Sequence, residues 1–282
     1  MPEANAEQRE YWNSDESREW VEEPGRYDEM LEPFGIRALE VADVRPGERV
    51  LDVGCGNGAL TIEAAVRAGA DGSATGIDLS EPMLTNARAR AAERGLAHAT
   101  FEVADAQVAA LDGPFDAVMS RFGIMFFDDP DAACANIVGS LAPGGRVAFM
   151  CWRAVPENEW VLVQAAAIAQ HVALPDDLAS DGPGPFRYGD PSALVAALAA
   201  AGVRDAAAEP FDTTLLLGGR GSLDDVMRFL EGGGMTRRLL GDAEPGQKER
   251  ALESVRTALT PFVTPDGVRL GAGAWIVSGH RR

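Results

Sequence analysis

Val50-Leu51-Asp52-Val53-Gly54-Cys55-Gly56-Asn57-Gly58 is the stretch on which the fold turns. Its first four residues, mostly branched and apolar, read as a strand; three alternating glycines read as a turn. From about Ala59 a helical pattern then runs until Gly69. Gly54, Gly56 and Gly58 lack Cβ atoms, so the backbone can approach a ligand and present free N–H groups at a helix N-terminus, which suits an anion. The spacing also satisfies the G-x-G-x-x-G/A fingerprint of dinucleotide folds through Gly54, Gly56 and Ala59. The glycines alone therefore leave the ligand open.

Working outward, the same unit recurs. Ala74 to Leu79 reads as a second strand, with Ser80 as N-cap of a helix that runs to about Arg94 and stops at Gly95. Thr100 to Val103 gives a third strand. A fourth spans Phe115 to Ser120 after Gly113-Pro114, and a fifth spans Arg146 to Trp152 after Ala142-Pro143-Gly144-Gly145. Strands alternating with helices imply crossover connections and a parallel sheet covered on both faces. Upstream, residues 1–45 read as helical up to the Pro46-Gly47 turn. Downstream the rhythm changes. Residues 157–172 read as helix, 175–191 as a long loop, and Asp190-Pro191 opens an Ala-rich helix closed by Gly202. A strand over 206–217, helices over 222–231 and 244–260, and a last strand from Val268 to Gly279 complete the chain.

Three carboxylates narrow the choice of ligand. Asp52 lies two residues before the first glycine, where a negative charge opposes a pyrophosphate and attracts an ammonium or sulfonium. Asp78, closing the second strand, is placed to accept from both hydroxyls of a ribose. Asp105, after the third strand, is placed to accept from an adenine amino group while the Ala106 N–H donates to the ring. Singly, each also reads as a cap or a turn acceptor. Their shared position at strand C-termini spans a nucleoside from ribose to base.

The segments VLDVGCGNG, GIDLS, ADA and FDAVMSRFGIMFF, with LAPGGRVAFMCW, resemble the motifs of class I S-adenosylmethionine-dependent methyltransferases, in particular the quinone C-methyltransferase-like branch. The similarity covers about residues 45–152. It implies an α/β, Rossmann-like three-layer sandwich: a seven-stranded, mostly parallel sheet of order 3-2-1-4-5-7-6 with strand 7 antiparallel. It also implies S-adenosyl-L-methionine as cofactor. Gly54, Cys55, Gly56 and Gly58 would wrap its methionine part with Asp52 nearby, Asp78 would take the ribose, and Asp105 with Ala106 the adenine. Leu79 and Met83 would flank it, and Ser120, Arg121 and Phe122 would line its amino-acid end. Residues 153–189 and 218–262 depart from the minimal fold and read as helical cap insertions on a core of residues 46–282, with residues 1–45 as an N-terminal helical lid.

Within that lid Tyr27 is a candidate to cover the cofactor, since a cation is attracted to aromatic faces. Trp12, Phe34, Phe126 and Trp152 are candidates for an apolar substrate pocket, and His171 could be brought over it by the cap. Asp128 and Asp129 before Pro130 read as a helix start. No catalytic base is named and no metal is expected, because displacement at a sulfonium rests mainly on proximity and orientation. The expected activity is methyl transfer to carbon or oxygen of a small, largely apolar or aromatic metabolite. Alternatives are a non-methylating descendant acting as a cyclase or binding module, and an NAD-dependent oxidoreductase.

Composition fits this. The 282 residues are 46% hydrophobic and 24% charged, as in ordinary globular proteins. The 44 Asp and Glu outweigh 25 Lys and Arg, a net charge of −19 that repels phosphate backbones and disfavours a nucleic-acid partner. No membrane span, zinc site or disulfide framework is suggested: the apolar runs are short, and Cys55, Cys134 and Cys151 are far apart and odd in number. A cytoplasmic protein with a small-molecule substrate is expected.

Overall fold

The computed structural model describes residues 3–175 and 182–282; part of the loop expected over 175–191 lies outside the described residues. Three helices precede the first strand: α1 (Ala6–Trp12), α2 (Arg18–Glu22) and α3 (Pro24–Ala42). Pro24 at the first turn starts α3 where its missing N–H costs nothing. The core follows as β1 (Arg49–Val53), α4 (Ala59–Ala68), β2 (Ser73–Asp78), α5 (Glu81–Glu93), β3 (Ala99–Val103), β4 (Phe115–Arg121), α6 (Pro130–Gly139) and β5 (Leu141–Trp152). Then come α7 (Glu159–Ile168), α8 (Ser192–Ala200), β6 (Val203–Leu216), α9 (Leu223–Gly232), α10 (Gly234–Leu240), α11 (Pro245–Leu259), β7 (Val263–Thr264) and β8 (Gly267–Arg281).

The sheet order is β3-β2-β1-β4-β5-β8-β6, with the two-residue β7 paired to β8. Leaving that short strand aside, this is the expected 3-2-1-4-5-7-6. The pairs from β3 to β5 are parallel, and β8 runs antiparallel to both β5 and β6. The central strands carry unbroken apolar runs, such as Val147 to Cys151, because both faces are covered. Phe149, Leu51 and Met119 are fully buried there, as is Ile62 on α4, each side chain contributing about 1.5–3 kcal/mol by leaving water.

Two strands start earlier than their patterns indicate. Leu141 pairs with Phe115 ahead of a register shift, so Ala142 to Gly145 form an irregularity within β5 rather than a turn before it. In β6, Asp205 takes φ +56° in a second irregularity, which lets pairing begin at Val203. Helix α10 was not expected: seven residues between glycines carry too little periodicity. Ser80 caps α5 as expected, its Oγ accepting from Met83 N at 3.4 Å. Among the described residues no helix is long and apolar enough to cross a membrane.

The strand order reverses direction between β1 and β4, and the crevice beyond their C-terminal ends is where open α/β sheets bind ligands. α1, α2 and the start of α3 border that end, and the rest of α3 packs on β4, β5 and β6. Asn57 Nδ2 donates to Trp20 O at 2.8 Å and Asn86 Nδ2 to Val21 O at 2.8 Å, tying the N-terminal helices to the core.

Candidate active site

The three glycines after β1 have different reasons to be glycine. A Cβ on Gly54 would sit 2.8 Å from Gly123 Cα, and one on Gly123 would sit 2.9 Å from Gly54 Cα and 2.8 Å from Val53 O. The loops after β1 and β4 thus cross back to back. A Cβ on Gly58, at φ +78°, would sit 2.8 Å from both Ala87 Cβ and Phe101 Cε1. Gly58 is needed for packing α4 against α5 and β3, and it does not line the cavity, contrary to expectation. Gly56, at φ +53°, has only Met83 Sδ at 3.6 Å near its absent Cβ, so its backbone faces open space.

Carboxylates ring this turn. Asp52 is buried, accepts from Thr61 Oγ1 at 2.6 Å, and has its carboxyl pushed up to about 6, chiefly by loss of solvent. Asp78 Oδ2 accepts from Gly56 N at 2.8 Å and Oδ1 from Ser80 N at 2.9 Å, so one carboxylate joins the glycine turn to α5; burial raises its pKa. Asp105 accepts from Gln107 N at 2.9 Å, and both its oxygens also take Asn5 Nδ2, at 2.8 and 3.0 Å. Asn5 is 1% exposed, holds φ +52°, donates its N–H to Asp128 Oδ2 at 2.6 Å and accepts from Asp128 N at 2.7 Å. Of the two expected helix-start residues, then, only Asp129 caps α6, accepting from Ala132 N. Beside Asn5 lies a hollow of about 60 Å³ bounded by Leu79, Asp105, Ala106 and Phe127.

A larger cavity of about 720 Å³ adjoins it and reaches α7, α9 and α10. Gly54, Cys55, Gly56, Asp78 and Met83 line one end. Tyr27 stacks on Trp20 at 3.6 Å, Trp12 meets Trp20 and Phe126 edge-on, and Phe122 stacks on Trp152 at 4.0 Å. All six rings line the cavity, and burial raises the Tyr27 hydroxyl above its ordinary pKa. Arg121 enters from β4, its Nη1 donating to Leu31 O at 3.3 Å and its Nη2 3.9 Å from Asp28 Oδ1. The other oxygen of Asp28 is held by Arg90.

Three expected pocket residues lie elsewhere. Neighbouring side chains on a strand point to opposite faces, and with Arg121 turned to the cavity Ser120 points away, its Oγ donating to Val53 O at 2.7 Å. Phe34 is wholly buried behind the wall, edge-on to Phe122, Trp152 and Phe211. His171 Nε2 is 2.8 Å from Ser254 Oγ and its carbonyl accepts from Gln247 Nε2, so it fastens the end of α7 to α11. Conversely Asn5, Trp20, Asp28, Trp160, Gln164 and Thr236 line the site without a local sequence signal, because packing of separate helices brings them there.

Residues 50–145 match the methyltransferase domain family. The chain is 36% identical over 184 residues to a nocamycin O-methyltransferase of Saccharothrix syringae, covering 62% of this chain and 65% of that one. It is 38% identical over 122 residues to an aklanonic acid methyltransferase of Streptomyces, covering 43% and 56%. The chain thus matches less than two thirds of the length of each of these two relatives. A demethylmenaquinone methyltransferase of Thermus thermophilus is 35% identical over 176 residues, covering 59% of this chain and 79% of that one. The chain belongs to the class I S-adenosylmethionine-dependent methyltransferases. As a methyltransferase fold it superposes on a phosphoethanolamine N-methyltransferase of Haemonchus contortus, solved with S-adenosylhomocysteine, at a TM-score of 0.58 and 18% identity, covering 96% and 60%. It superposes on the YcgJ protein of Bacillus subtilis at 0.54 and 16%, covering 89% and 98%. The cofactor of this methyltransferase family is S-adenosylmethionine.

Proposed function

We propose that this methyltransferase moves a methyl group to carbon or oxygen of a small, largely apolar or aromatic metabolite in the cytoplasm. The observation that carries the reading is the cavity itself: at one end carboxylates at successive strand termini surround the open backbone of Gly56, and the other end is walled by aromatic rings. Its volume falls within the range of small-molecule sites. The names of the relatives specify nocamycin, aklanonic acid and demethylmenaquinone, which support a small-molecule acceptor. The charge of −19 argues against a nucleic-acid acceptor. Three free, buried cysteines fit a reducing compartment.

The residues present suit the cofactor. Asp78, already fixed by two backbone N–H groups, would receive the ribose hydroxyls. Asp105 and Ala106 would meet the base in the smaller hollow, flanked by Leu79, while Met83, Cys55 and Gly54 border the turn. Arg121 and Asp28 present opposite charges suited to a zwitterionic amino-acid end beside Phe122, and Asp52 adds negative potential near a sulfonium. Bound there, S-adenosylmethionine supplies an activated methyl group. What the chain adds is alignment and dryness: holding two reacting groups in line is worth about 7–11 kcal/mol of a barrier. Tyr27, Trp12 and Trp20, carried on residues 1–45, would act as the lid that excludes water. The segments 153–189 and 218–262 would cap the acceptor end of the core formed by residues 46–282, with Phe126 and Trp152 walling the acceptor.

Calorimetry with S-adenosylmethionine and S-adenosylhomocysteine, followed by incubation of methyl-labelled cofactor with metabolite extract and mass analysis, tests this. Binding together with a labelled small molecule and released S-adenosylhomocysteine is expected. Binding without turnover across extracts would point to a non-methylating descendant, and no binding would overturn the reading.

A further inference from the structure

At the cap end of the cavity, beside apolar Trp160, Phe229, Leu230 and Met235 and charged Arg237, Arg238 and Asp242, lies a buried polar pair. Gln164 on α7 and Thr236 on α10 are 0% and 1% exposed, and both line the cavity. Thr236 Oγ1 donates to Gln164 Oε1 at 2.8 Å, and Gln164 Nε2 donates to Trp160 O at 2.7 Å. Each group is half used. An amide nitrogen has two hydrogens and a hydroxyl oxygen has two lone pairs, so one donor on Gln164 and acceptor capacity on Thr236 remain. The neighbouring Trp160 offers only its ring, because its indole N–H is spent on Asn158 Oδ1 at 3.1 Å. The pair joins helices from two separate insertions, the parts of the chain added to the common core. Buried beside the cavity, the unused donor and acceptor lose water contacts, a cost that a ligand hydrogen bond would offset.

We infer that Gln164 and Thr236 determine specificity for a flat aromatic acceptor that carries a second oxygen, hydroxyl or carbonyl, remote from the methylated atom. Trp152, Trp160 and Phe229 would pack against the rings, and the pair would exchange hydrogen bonds with that oxygen. This rests on the methyltransferase reading above.

The test measures affinity for two probes, 1,5-dihydroxynaphthalene and 1-naphthol, by quenching of tryptophan fluorescence on protein saturated with S-adenosylhomocysteine. One completed hydrogen bond in a desolvated site corresponds to about tenfold in affinity, so the diol should bind about tenfold tighter. Gln164→Leu and Thr236→Val, the second of which keeps the shape and removes only the hydroxyl, should each narrow the preference, and the double variant, which takes away every polar group of the pair, should bring the two probes to within about twofold of each other while leaving affinity for S-adenosylhomocysteine unchanged. Thr236→Val alone keeps the inference testable if variants at Gln164 fail to fold. Equal affinities in the parent protein, no binding of either probe, or a preference undiminished in the folded variants would each overturn the inference. Failure to bind S-adenosylhomocysteine would instead strike the methyltransferase reading.

Discussion

Asn5 and Asp105, 100 residues apart in sequence, meet in a buried contact in which one amide nitrogen reaches both carboxylate oxygens. Asp105 is also the side chain assigned to the amino group of the nucleobase. On that proposed assignment Asn5 and the base would be rivals for one acceptor. A hydrogen bond to a charged group contributes about 1.5–3 kcal/mol, and leaving the carboxylate unpaired costs at least as much. Asn5→Ala should lower the melting temperature of the ligand-free protein and enlarge the rise produced by S-adenosylhomocysteine, as read by thermal-shift fluorimetry. An unchanged ligand-induced rise would remove Asp105 from the base contact.

The glycines after β1 should separate stability from binding. Gly58→Ala places a methyl group onto Ala87 and Phe101 and should lower stability by roughly 1–3 kcal/mol of overpacking, with cofactor affinity falling only as far as folding does. Gly56→Ala meets only Met83 at an ordinary distance, so its stability cost is the strain of a left-handed backbone, about 1 kcal/mol. Its loss of affinity for S-adenosylhomocysteine should be the larger effect. Urea titration beside calorimetry distinguishes the two.

Removing Asp78 should act on binding twice, by taking away an acceptor for the ribose and by releasing Gly56 N and Ser80 N. Asp78→Ala should weaken S-adenosylhomocysteine at least tenfold by calorimetry. Asp78→Asn, which retains one acceptor oxygen, should lose less. Equal affinity in Asp78→Ala would refute the assignment.

Asp52 makes a prediction about pH. Burial raises its carboxyl from 3.8 to about 6, opposed by the Thr61 hydroxyl from α4 and Arg121 from β4 and aided by Asp78 from β2. The folded protein therefore holds this proton more tightly than the unfolded chain. The associated stability is present below about pH 4 and is lost as pH climbs to 6, about 3 kcal/mol in all. Asp52→Asn should be more stable than the parent above pH 6, the gap closing toward pH 4, as measured by chemical denaturation. A sulfonium nearby favours the ionised carboxylate, so the preference for S-adenosylmethionine over S-adenosylhomocysteine should grow between pH 5 and 7 in the parent and stay flat in the variant.

The net charge of −19 predicts a response to salt. Between about 0.01 and 1 M ionic strength the screening length contracts from about 30 to about 3 Å, weakening self-repulsion among surface carboxylates. The melting temperature should rise across that range in sodium chloride. A fall would mean that exposed pairs such as Arg88 with Glu81 outweigh the general repulsion.

The parallel half of the fold was legible because each strand carries an apolar run bounded by turn residues, and the first three end at or near a carboxylate, Asp52, Asp78 and Asp105. What was not legible depended on direction or distance. Ser120 and Arg121 are adjacent, and only the face each strand turns to the cavity decides which one reaches it. Phe34 is as apolar as Phe126, and its place behind the wall follows from how α3 seats on the sheet. His171 finds Ser254, a partner 83 residues away. Asn5 sits in an acidic leader with nothing local to mark it, and Gln164 and Thr236 are ordinary helical residues until α7 and α10 come together.

The crossing of Gly54 and Gly123 couples two parts of the site mechanically. Each occupies the volume where the other's side chain would stand, so neither bend can take a side chain or close on the other without displacing its counterpart. Gly54 belongs to the turn that would cradle the methyl donor, and Gly123 directly follows Phe122, which would line the donor's amino-acid end and stacks on Trp152 of the proposed acceptor wall. On the roles proposed above, the crossing would set a floor under the distance between donor cradle and acceptor wall, whichever way the helices above them move.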